Sequence, residues 1–246
     1  MICISPEGYT ELINKPGTKK MKISILGTGI YGKTMAERFI SDGDEVMIGT
    51  RNVEETLTKN NPDARGSRPF KEWYKNNSKI KIGTFADTAK FGEIIILATF
   101  GNATKNAIDL AGKENFEGKI IIDTTNPLDI SKGGLPEFTA TPGNSLGEQI
   151  QRQIPKAKVV KAFNQMGVAI VVNPKREEGD PVMFIAGNDE SAKKKVSMIA
   201  TKWGWKDIVD YGDISESFWL ESLAMIWIYY AFKNNSLCHA FKLLKK

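Results

Sequence analysis

Three glycines in the stretch ILGTGIYGKT restrict the fold of this chain more than any other feature of its sequence. Gly27, Gly29 and Gly32 have the spacing G-x-G-x-x-G, which by itself also occurs in ordinary glycine turns. Here an apolar run at Lys22–Leu26 precedes the glycines, and apolar residues at helical spacing follow them as far as Ile40. A strand, a glycine turn and a helix in this order are the context in which the spacing indicates a dinucleotide site.

Each glycine has its own task in such a site. Gly27 permits the tight turn, Gly29 lets the backbone approach a pyrophosphate, and Gly32 lets the helix pack close to the strand. The pyrophosphate would lie at the helix N-terminus, where free N–H groups and the helix dipole favour negative charge. The alternative is an unrelated glycine turn in an α/β protein, and the flanking strand and helix favour the dinucleotide.

Short apolar runs alternate with helical patterns along the rest of the chain. The predicted strands are Lys22–Leu26, Glu45–Gly49, Ile80–Thr84, Glu93–Thr99, Lys119–Asp123, Lys158–Phe163, Val182–Ala186 and a last one at Ile208–Val209. The later predicted helices are Ser145–Ile154, Asp189–Trp203 and Asp213–Asn234. This alternation predicts an α/β fold with a doubly wound, mainly parallel sheet of about eight strands and a short helical C-terminal part.

The same patterns predict three parts of the chain. Residues 1–20 form an N-terminal extension, residues 21–212 form the dinucleotide-binding domain, and residues 213–246 form a helical C-terminal segment. A loop rich in glycine and proline is predicted from Ser131 to Gly143, and the tail HAFKLLKK is expected to extend the last helix.

Composition excludes some classes of partner. The net charge of +5 suits a phosphorylated cofactor, but a solvated lysine-rich surface is the favoured explanation. No basic stripe carries interleaved aromatic residues, so nucleic acid is not expected. No apolar run approaches the roughly 20 residues of a membrane span, and residues 1–20 lack the apolar stretch of a signal peptide. We therefore expect a cytoplasmic protein, and its single histidine, His239, leaves no multi-histidine metal site.

The end of the second predicted strand indicates which dinucleotide binds. An NAD site usually places a carboxylate there to accept from the ribose hydroxyls, about 20 residues after the glycines. This chain instead has Thr50, Arg51 and Asn52, with no carboxylate between Glu45 and Glu54. A guanidinium can pair with a 2′-phosphate, and the hydroxyl and amide can donate to it. We therefore predict NADP(H), the alternative being that Arg51 lies in a surface turn.

Further candidates follow other strands, because ligands bind at the carboxyl ends of parallel strands. Phe100 can pack against cofactor or substrate rings, and the amides of Asn126 and Asn164 can fix a carboxamide. Turn chemistry explains such residues equally well. The cofactor-side candidates are Ala98, Thr99, Phe100 and Asn126, and the substrate-side candidates are Phe163, Asn164, Gln165 and Met166.

Groups that could protonate an alkoxide are scarce. His239 lies in the C-terminal tail, and Lys161 lies inside a predicted strand. Of the tyrosines, only Tyr229 has a lysine four residues on, Lys233, and both lie near the end of the last predicted helix. Carbonyl reduction needs a proton donor at the new hydroxyl, whereas a flavin-like ring delocalises its charge and takes a proton from water. The sequence therefore favours a flavin-like hydride acceptor.

At this point a resemblance can be stated. The segments MKISILGTGIYGKTMAERFISDGDEVMIGTRN, EIIILAT, IIIDTTNPL, VVKAFNQMG, PVMFIAGNDESAKKKV and WLESLAMIW resemble the coenzyme F420-dependent NADP oxidoreductases, and equally the cytosolic reductase domain of the STEAP metalloreductases. AFNQMG is closer to the metalloreductase pattern, because the deazaflavin enzymes carry a histidine-containing segment there.

The resemblance implies a compact Rossmann domain that exchanges hydride between NADP(H) and a flavin or deazaflavin of the F420 type. It also implies a homodimer packed through C-terminal helices. It places Thr28, Ile30 and Tyr31 in the phosphate loop and Thr50 and Arg51 on the 2′-phosphate. The remaining candidates would flank the cofactor or lie near the nicotinamide: Thr99, Phe100, Asn126, Phe163 and Asn164.

The last predicted helix is apolar nearly all round, from Phe218 to Tyr230. Such a helix must be buried on several sides, and we expect a dimer interface rather than burial within one chain. Two other functions stay open. One is an imine or hydroxyacid reductase resembling pyrroline-5-carboxylate reductase, although only the last 56 residues follow Glu190, where those enzymes have a larger helical domain. The other is a non-catalytic NADP(H) sensor.

Overall fold

The fold is taken from a computed structural model, which describes residues 20–60, 62 and 68–245. The predicted N-terminal extension therefore lies, except for residue 20, outside the described residues. The strands are β1 (Lys22–Leu26), β2 (Glu45–Thr50), β3 (Lys81–Thr84), β4 (Ile94–Leu97), β5 (Ile120–Asp123), β6 (Leu128–Asp129), β7 (Glu137–Phe138), β8 (Lys158–Lys161), β9 (Val182–Gly187) and β10 (Asp207–Asp210).

The helices alternate with these strands. They are α1 (Ile30–Ser41), α2 (Val53–Thr58), α3 (Phe70–Lys75), α4 (Phe85–Phe91), α5 (Gly101–Ala111), α6 (Leu146–Gln153), α7 (Val168–Val172), α8 (Glu190–Lys202) and α9 (Ser217–Asn234). Two 3₁₀ turns, Lys113–Phe116 and Ile214–Glu216, precede β5 and α9.

Within the described residues, eight strands form one sheet in the order β10-β9-β8-β5-β4-β1-β2-β3. Every neighbouring pair is parallel except β8 and β9, which are antiparallel. The α/β, Rossmann-type prediction is confirmed. The chain runs outward from β1 to β3 and then returns to β4 on the other side of β1. In such sheets the ligand crevice lies where the strand order reverses, at the carboxyl ends of β1 and β4.

Side chains alternate between two apolar layers, one on each face of the sheet. In β4, Ile94 and Ile96 join the layer that contains Phe39 of α1, whereas Ile95 and Leu97 join the opposite layer. All four of these strand residues are buried. The near-continuous apolar run of β4 therefore reflects a strand covered on both faces, as parallel sheets require.

The loop predicted from Ser131 to Gly143 contains part of a small hairpin. Leu128 and Asp129 of β6 pair antiparallel with Phe138 and Glu137 of β7. The ring of Phe138 lies 6.0 Å from that of Phe218 in α9. This tertiary contact stabilises a two-residue strand for which the local sequence gives no signal.

The C-terminal tail does not extend the last helix, so that expectation was wrong. Asn235 adopts a left-handed conformation with φ of 47°, which ends α9. The tail then packs back on the domain, since Val182 donates its N–H to the carbonyl of Phe241 at 2.9 Å. No helix in the described part of the chain, α9 included, has the length and apolar character that crossing a membrane would need.

Candidate active site

The three glycines are held by different constraints. Gly27 has φ of +125°, and a Cβ there would lie 2.4 Å from the carbonyl oxygen of Ala98. A Cβ on Gly32 would lie 2.1 Å from the carbonyl oxygen of Gly27. At Gly29, by contrast, no atom of the described chain lies within 4 Å of the added Cβ position. The protein itself requires Gly27 and Gly32, whereas Gly29 borders open space that fits an approaching pyrophosphate.

The N-terminus of α1 is suited to an anion. Gly29 is the N-cap residue, no side chain caps the helix, and its first turn contains no acidic residue. The first N–H groups of a helix have no partner within the helix, and the dipole there attracts negative charge. Thr28 is half-buried, Ile30 is exposed, and the half-buried Tyr31 donates its hydroxyl to the carbonyl of Phe163. These contacts tie the glycine loop to the end of β8.

The end of β2 presents a guanidinium to solvent. The Thr50 and Thr56 hydroxyls lie 2.7 Å apart, and Thr56 donates to the Asn52 carbonyl at 2.8 Å. A hydroxyl has one proton, so Thr50 must donate to Thr56. Asn52 caps α2 by accepting the N–H of Glu55 at 3.0 Å. Arg51 is exposed, and no ion pair or hydrogen bond joins its guanidinium to the part of the chain that the structure describes.

The end of β4 brings the next three candidates to the same edge. Ala98 contacts the glycine loop as described above, and the Thr99 hydroxyl lies 2.8 Å from that of Thr104. Phe100 precedes α5 with 43% of its surface exposed. The sequence analysis missed Gly101, where a Cβ would lie 1.9 Å from the carbonyl oxygen of Asn126. Only glycine allows the loops after β4 and β5 to come this close. In the sequence, the position of Gly101 directly after Phe100, at the end of a strand, could have identified it as a site residue.

Asn126 and Asn164 are brought together. Asn126 donates its Nδ2 to the carbonyl of Asn164 at 2.9 Å, and Asn164 donates its Nδ2 to Oδ1 of Asn126 at 2.9 Å. Asn164 also donates to the carbonyl of Leu220 at 3.1 Å, which joins the pair to α9. Asn164 is buried and Asn126 is half-buried, so Asn126 is the member of the pair that a ligand can reach.

The other three substrate-side candidates have buried side chains. Phe163 has φ of +63°, and its ring lies 5.3 Å from that of Trp203 in the core. Gln165 donates to the carbonyl of Phe184 at 2.8 Å and accepts its N–H at 3.0 Å, in the manner of a neighbouring strand. Met166 belongs to the core. Their substrate-side role stays a prediction, and their burial favours support of the loop over direct contact.

Beneath the asparagine pair lies a sealed ionic triad that the sequence analysis did not identify. Lys161 Nζ lies 2.6 Å from an oxygen of Asp123 and 2.7 Å from an oxygen of Glu221, and all three side chains have 0% exposure. Lys161 also donates to the carbonyl of Thr125 at 2.9 Å. The sequence could have indicated this triad, because a charged residue ends each of two apolar strands, KIIID and KVVK.

The protonation of this triad follows from its geometry. Burial acts to lower the pKa of Lys161, but the adjacent Asp123 and Glu221 carboxylates outweigh it and raise that pKa above its usual value. Burial raises the pKa of Glu221, and Lys161 opposes that rise. The Glu221 carboxylate also accepts the N–H groups of Leu146 at 3.1 Å and Gly147 at 2.9 Å. These donors stabilise its ionised form.

Similar proteins share this arrangement of elements. A family profile described as NADP oxidoreductase, coenzyme F420-dependent, matches residues 22–127. The F420-dependent NADP reductase of Methanocaldococcus jannaschii is 29% identical, with 85% of this chain and 91% of that protein covered. Metalloreductase STEAP3 of Rattus norvegicus is 25% identical over 83% of this chain but only 36% of its own length.

The crystal structure of a candidate F420-dependent NADP reductase from Arthrobacter sp. FB24 superposes with a TM-score of 0.85. The two chains are 38% identical, and the match covers 92% of this chain and 100% of the other. Identity of this level over a whole chain extends the relationship beyond the glycine loop to α9. The chain belongs to the F420-dependent NADP oxidoreductase family and is an NADP-dependent oxidoreductase.

Proposed function

We propose that this protein transfers a hydride between NADPH and a flavin or a deazaflavin of the F420 type. The observation that carries the proposal is the sealing of the ionisable groups between the ends of β5 and β8. Asp123 and Lys161, with Glu221 from α9, are fully buried and bonded to one another. The groups that a ligand can reach there are the Asn126 amide and the Phe100 ring. Such a site can position rings, and the described residues at these two strand ends include no exposed ionisable side chain that could protonate an alkoxide.

The cofactor would lie along the carboxyl edge of the sheet. Its pyrophosphate fits the open space at Gly29 and the uncapped N-terminus of α1. Its 2′-phosphate would pair with Arg51, whose guanidinium is exposed at the end of β2. The Thr50 hydroxyl already donates to Thr56, so it would have to reorient in order to contribute to that phosphate.

The nicotinamide would lie near Asn126, with the acceptor ring alongside Phe100. Bound NADPH supplies two electrons and a proton as a hydride from its ring, and the reduced acceptor takes its second proton from water. The chain's part is to hold the two rings in contact and to keep water from between them. The names of the methanogen and Arthrobacter relatives support a deazaflavin as the acceptor.

An acceptor screen tests this function. NADPH oxidation would be followed without oxygen in the presence of coenzyme F420, FMN, a ferric chelate, a cyclic imine and a 2-keto acid. We expect turnover with the deazaflavin or the flavin. Turnover with only the imine or keto acid would identify an imine or hydroxyacid reductase, and tight NADPH binding without any turnover would identify a sensor.

A matched pair of variants, one directly before α5 and one near its C-terminal end, tests where the acceptor lies. Phe100→Ala should raise the acceptor KM several-fold, because Phe100 borders the site. Leu110→Ala is the control, since Leu110 is 50% exposed at the far end of the same helix. Equal kinetics for both variants would remove Phe100 from the acceptor site.

We also propose that the protein is a homodimer through α9. Trp219, Ile226 and Tyr230 of this helix are more than half exposed, as is Phe232. With Leu135 from the β6–β7 loop, the end of α9 lines an open apolar groove of about 480 Å³. Exposed apolar surface of this kind usually marks an interface, and a second copy of the same helix would cover it.

Light scattering during size exclusion tests the dimer. The wild-type protein and Met198→Glu should both have the mass of a dimer, and Ile226→Glu should have that of a monomer. Met198 is the control because it is 58% exposed on α8, comparable with 60% for Ile226. A monomeric wild-type protein at micromolar concentration would contradict the proposal.

A further inference from the structure

The sealed triad carries one net negative charge. It contains one cation, Lys161, and two carboxylates, Asp123 and Glu221. Oδ1 of Asp123 accepts the N–H of Thr125 at 2.9 Å and its hydroxyl at 2.6 Å. A protonated carboxyl needs an acceptor for its proton, whereas the N–H, hydroxyl and ammonium groups that contact these two carboxyls are donors. Both carboxylates are therefore held ionised, and one lysine balances only one of them.

This charge lies close to Asn126, beside which the nicotinamide is proposed to bind. Asp123 is the last residue of β5, and Asn126 follows three residues later. Consecutive Cα atoms are 3.8 Å apart, so those of Asp123 and Asn126 are separated by at most about 11 Å. Lys161 donates to the carbonyl of Thr125, directly before Asn126, and α9 carries both Glu221 and the carbonyl that binds Asn164. The triad therefore lies directly behind the asparagine pair.

We propose that Asp123, Lys161 and Glu221 are positioning residues that favour the oxidised cofactor electrostatically. The inference rests on the proposed function, in which the nicotinamide lies near Asn126. A nicotinamide ring is neutral in NADPH and positively charged in NADP⁺. A negative charge at this distance stabilises the positive ring, and the triad is fully buried, so solvent screens its charge little. The triad thereby promotes hydride release from NADPH.

The test measures the dissociation constants of NADPH and NADP⁺ separately, by calorimetry, without any acceptor. Glu221→Gln removes the excess charge and retains the size of the side chain. It should raise the ratio of the NADP⁺ constant to the NADPH constant on the order of tenfold, as expected for one charge at about 10 Å with an effective dielectric constant near 20. Structural damage alone would weaken both forms of the cofactor equally.

Three further variants make the result decisive. Asp123→Asn should shift the ratio in the same direction, and Lys161→Arg, which keeps every charge, should keep the wild-type ratio. Asp44→Asn is the matched control, because Asp44 is a buried carboxylate just before β2, at the opposite edge of the sheet. An unchanged ratio in both Glu221→Gln and Asp123→Asn would overturn the inference. Absence of NADPH binding by the wild-type protein would instead overturn the proposed function.

Discussion

Asn126 and Asn164 bind each other through two hydrogen bonds of 2.9 Å that join the loops after β5 and β8. In the first, the Asn126 side chain donates to the backbone carbonyl of Asn164. In the second, the Asn164 side chain donates to the side-chain oxygen of Asn126. Because Asn164 also donates to Leu220, the same pair fixes the start of α9 against the edge of the sheet. The candidate site is thus built partly from the C-terminal helix, whose exposed apolar side chains we propose to contact a second subunit.

Asn164→Ala should destabilise the protein by roughly 3 kcal/mol. The substitution removes the donor to Oδ1 of Asn126 and to the carbonyl of Leu220, and a buried polar group that loses its partner costs about 1–3 kcal/mol. Urea denaturation measures the change. Asn106→Ala, at an exposed position of α5, is the control and should change stability by no more than about 0.5 kcal/mol. Equal losses for the two variants would contradict the role of the pair.

Gly29→Ala and Gly32→Ala should separate cofactor binding from folding. Alanine at position 29 meets no atom of the described chain, so stability should hold while NADPH binding weakens at least tenfold. Alanine at position 32 would place its Cβ 2.1 Å from the carbonyl oxygen of Gly27, so the urea midpoint should fall. Fluorescence titration with NADPH accompanies the urea curves. Wild-type NADPH affinity in Gly29→Ala would show that the pyrophosphate lies elsewhere.

Arg51→Ala should weaken NADPH binding by about 10- to 100-fold and leave NADH binding nearly unchanged. A charge-assisted hydrogen bond to phosphate contributes about 1.5–3 kcal/mol, and NADH lacks that phosphate. Calorimetric titration of both dinucleotides gives the comparison. The half-buried Arg176 offers a control, since Arg176→Ala removes the same charge elsewhere. Equal losses for NADPH and NADH would remove the 2′-phosphate argument.

Asp189→Asn should alter the acid stability of the protein. Hydrogen bonds from the Ser191 hydroxyl and the Ala192 N–H lower the pKa of Asp189 to about 2, from 3.8. Because the folded-state pKa is the lower one, the carboxylate stabilises the fold above pH 3.8, and this contribution is lost as the pH falls through about 2. The wild-type minus variant difference in unfolding free energy should be constant near neutrality and shrink in acid. A difference independent of pH would contradict the assignment.

Local patterns were enough to predict the main elements of the fold. The run EIIILAT predicted a strand covered on both faces, and β4 is buried on both faces. The short helices α4 and α7 were missed, because they are too brief to display a helical period. The longer α5 was also missed, because its buried face contains mainly small residues, Thr104, Ala107 and Ala111. The glycine loop and the end of β2 lie together at the carboxyl edge of the sheet, as the sequence predicted, because a parallel sheet places its strand ends side by side.

The sequence by itself determined the α/β class, the glycine loop and the likeness to NADP oxidoreductases, because these depend on residues close together in the chain. Only the tertiary structure joined Lys161 to Glu221, which lie 60 residues apart, and Gly101 to Asn126. It also turned Phe163, Gln165 and Met166 inward, where the sequence alone indicated residues facing a substrate. The physical reason is that periodicity and spacing report local conformation. Which distant side chains meet depends on how strands and helices pack.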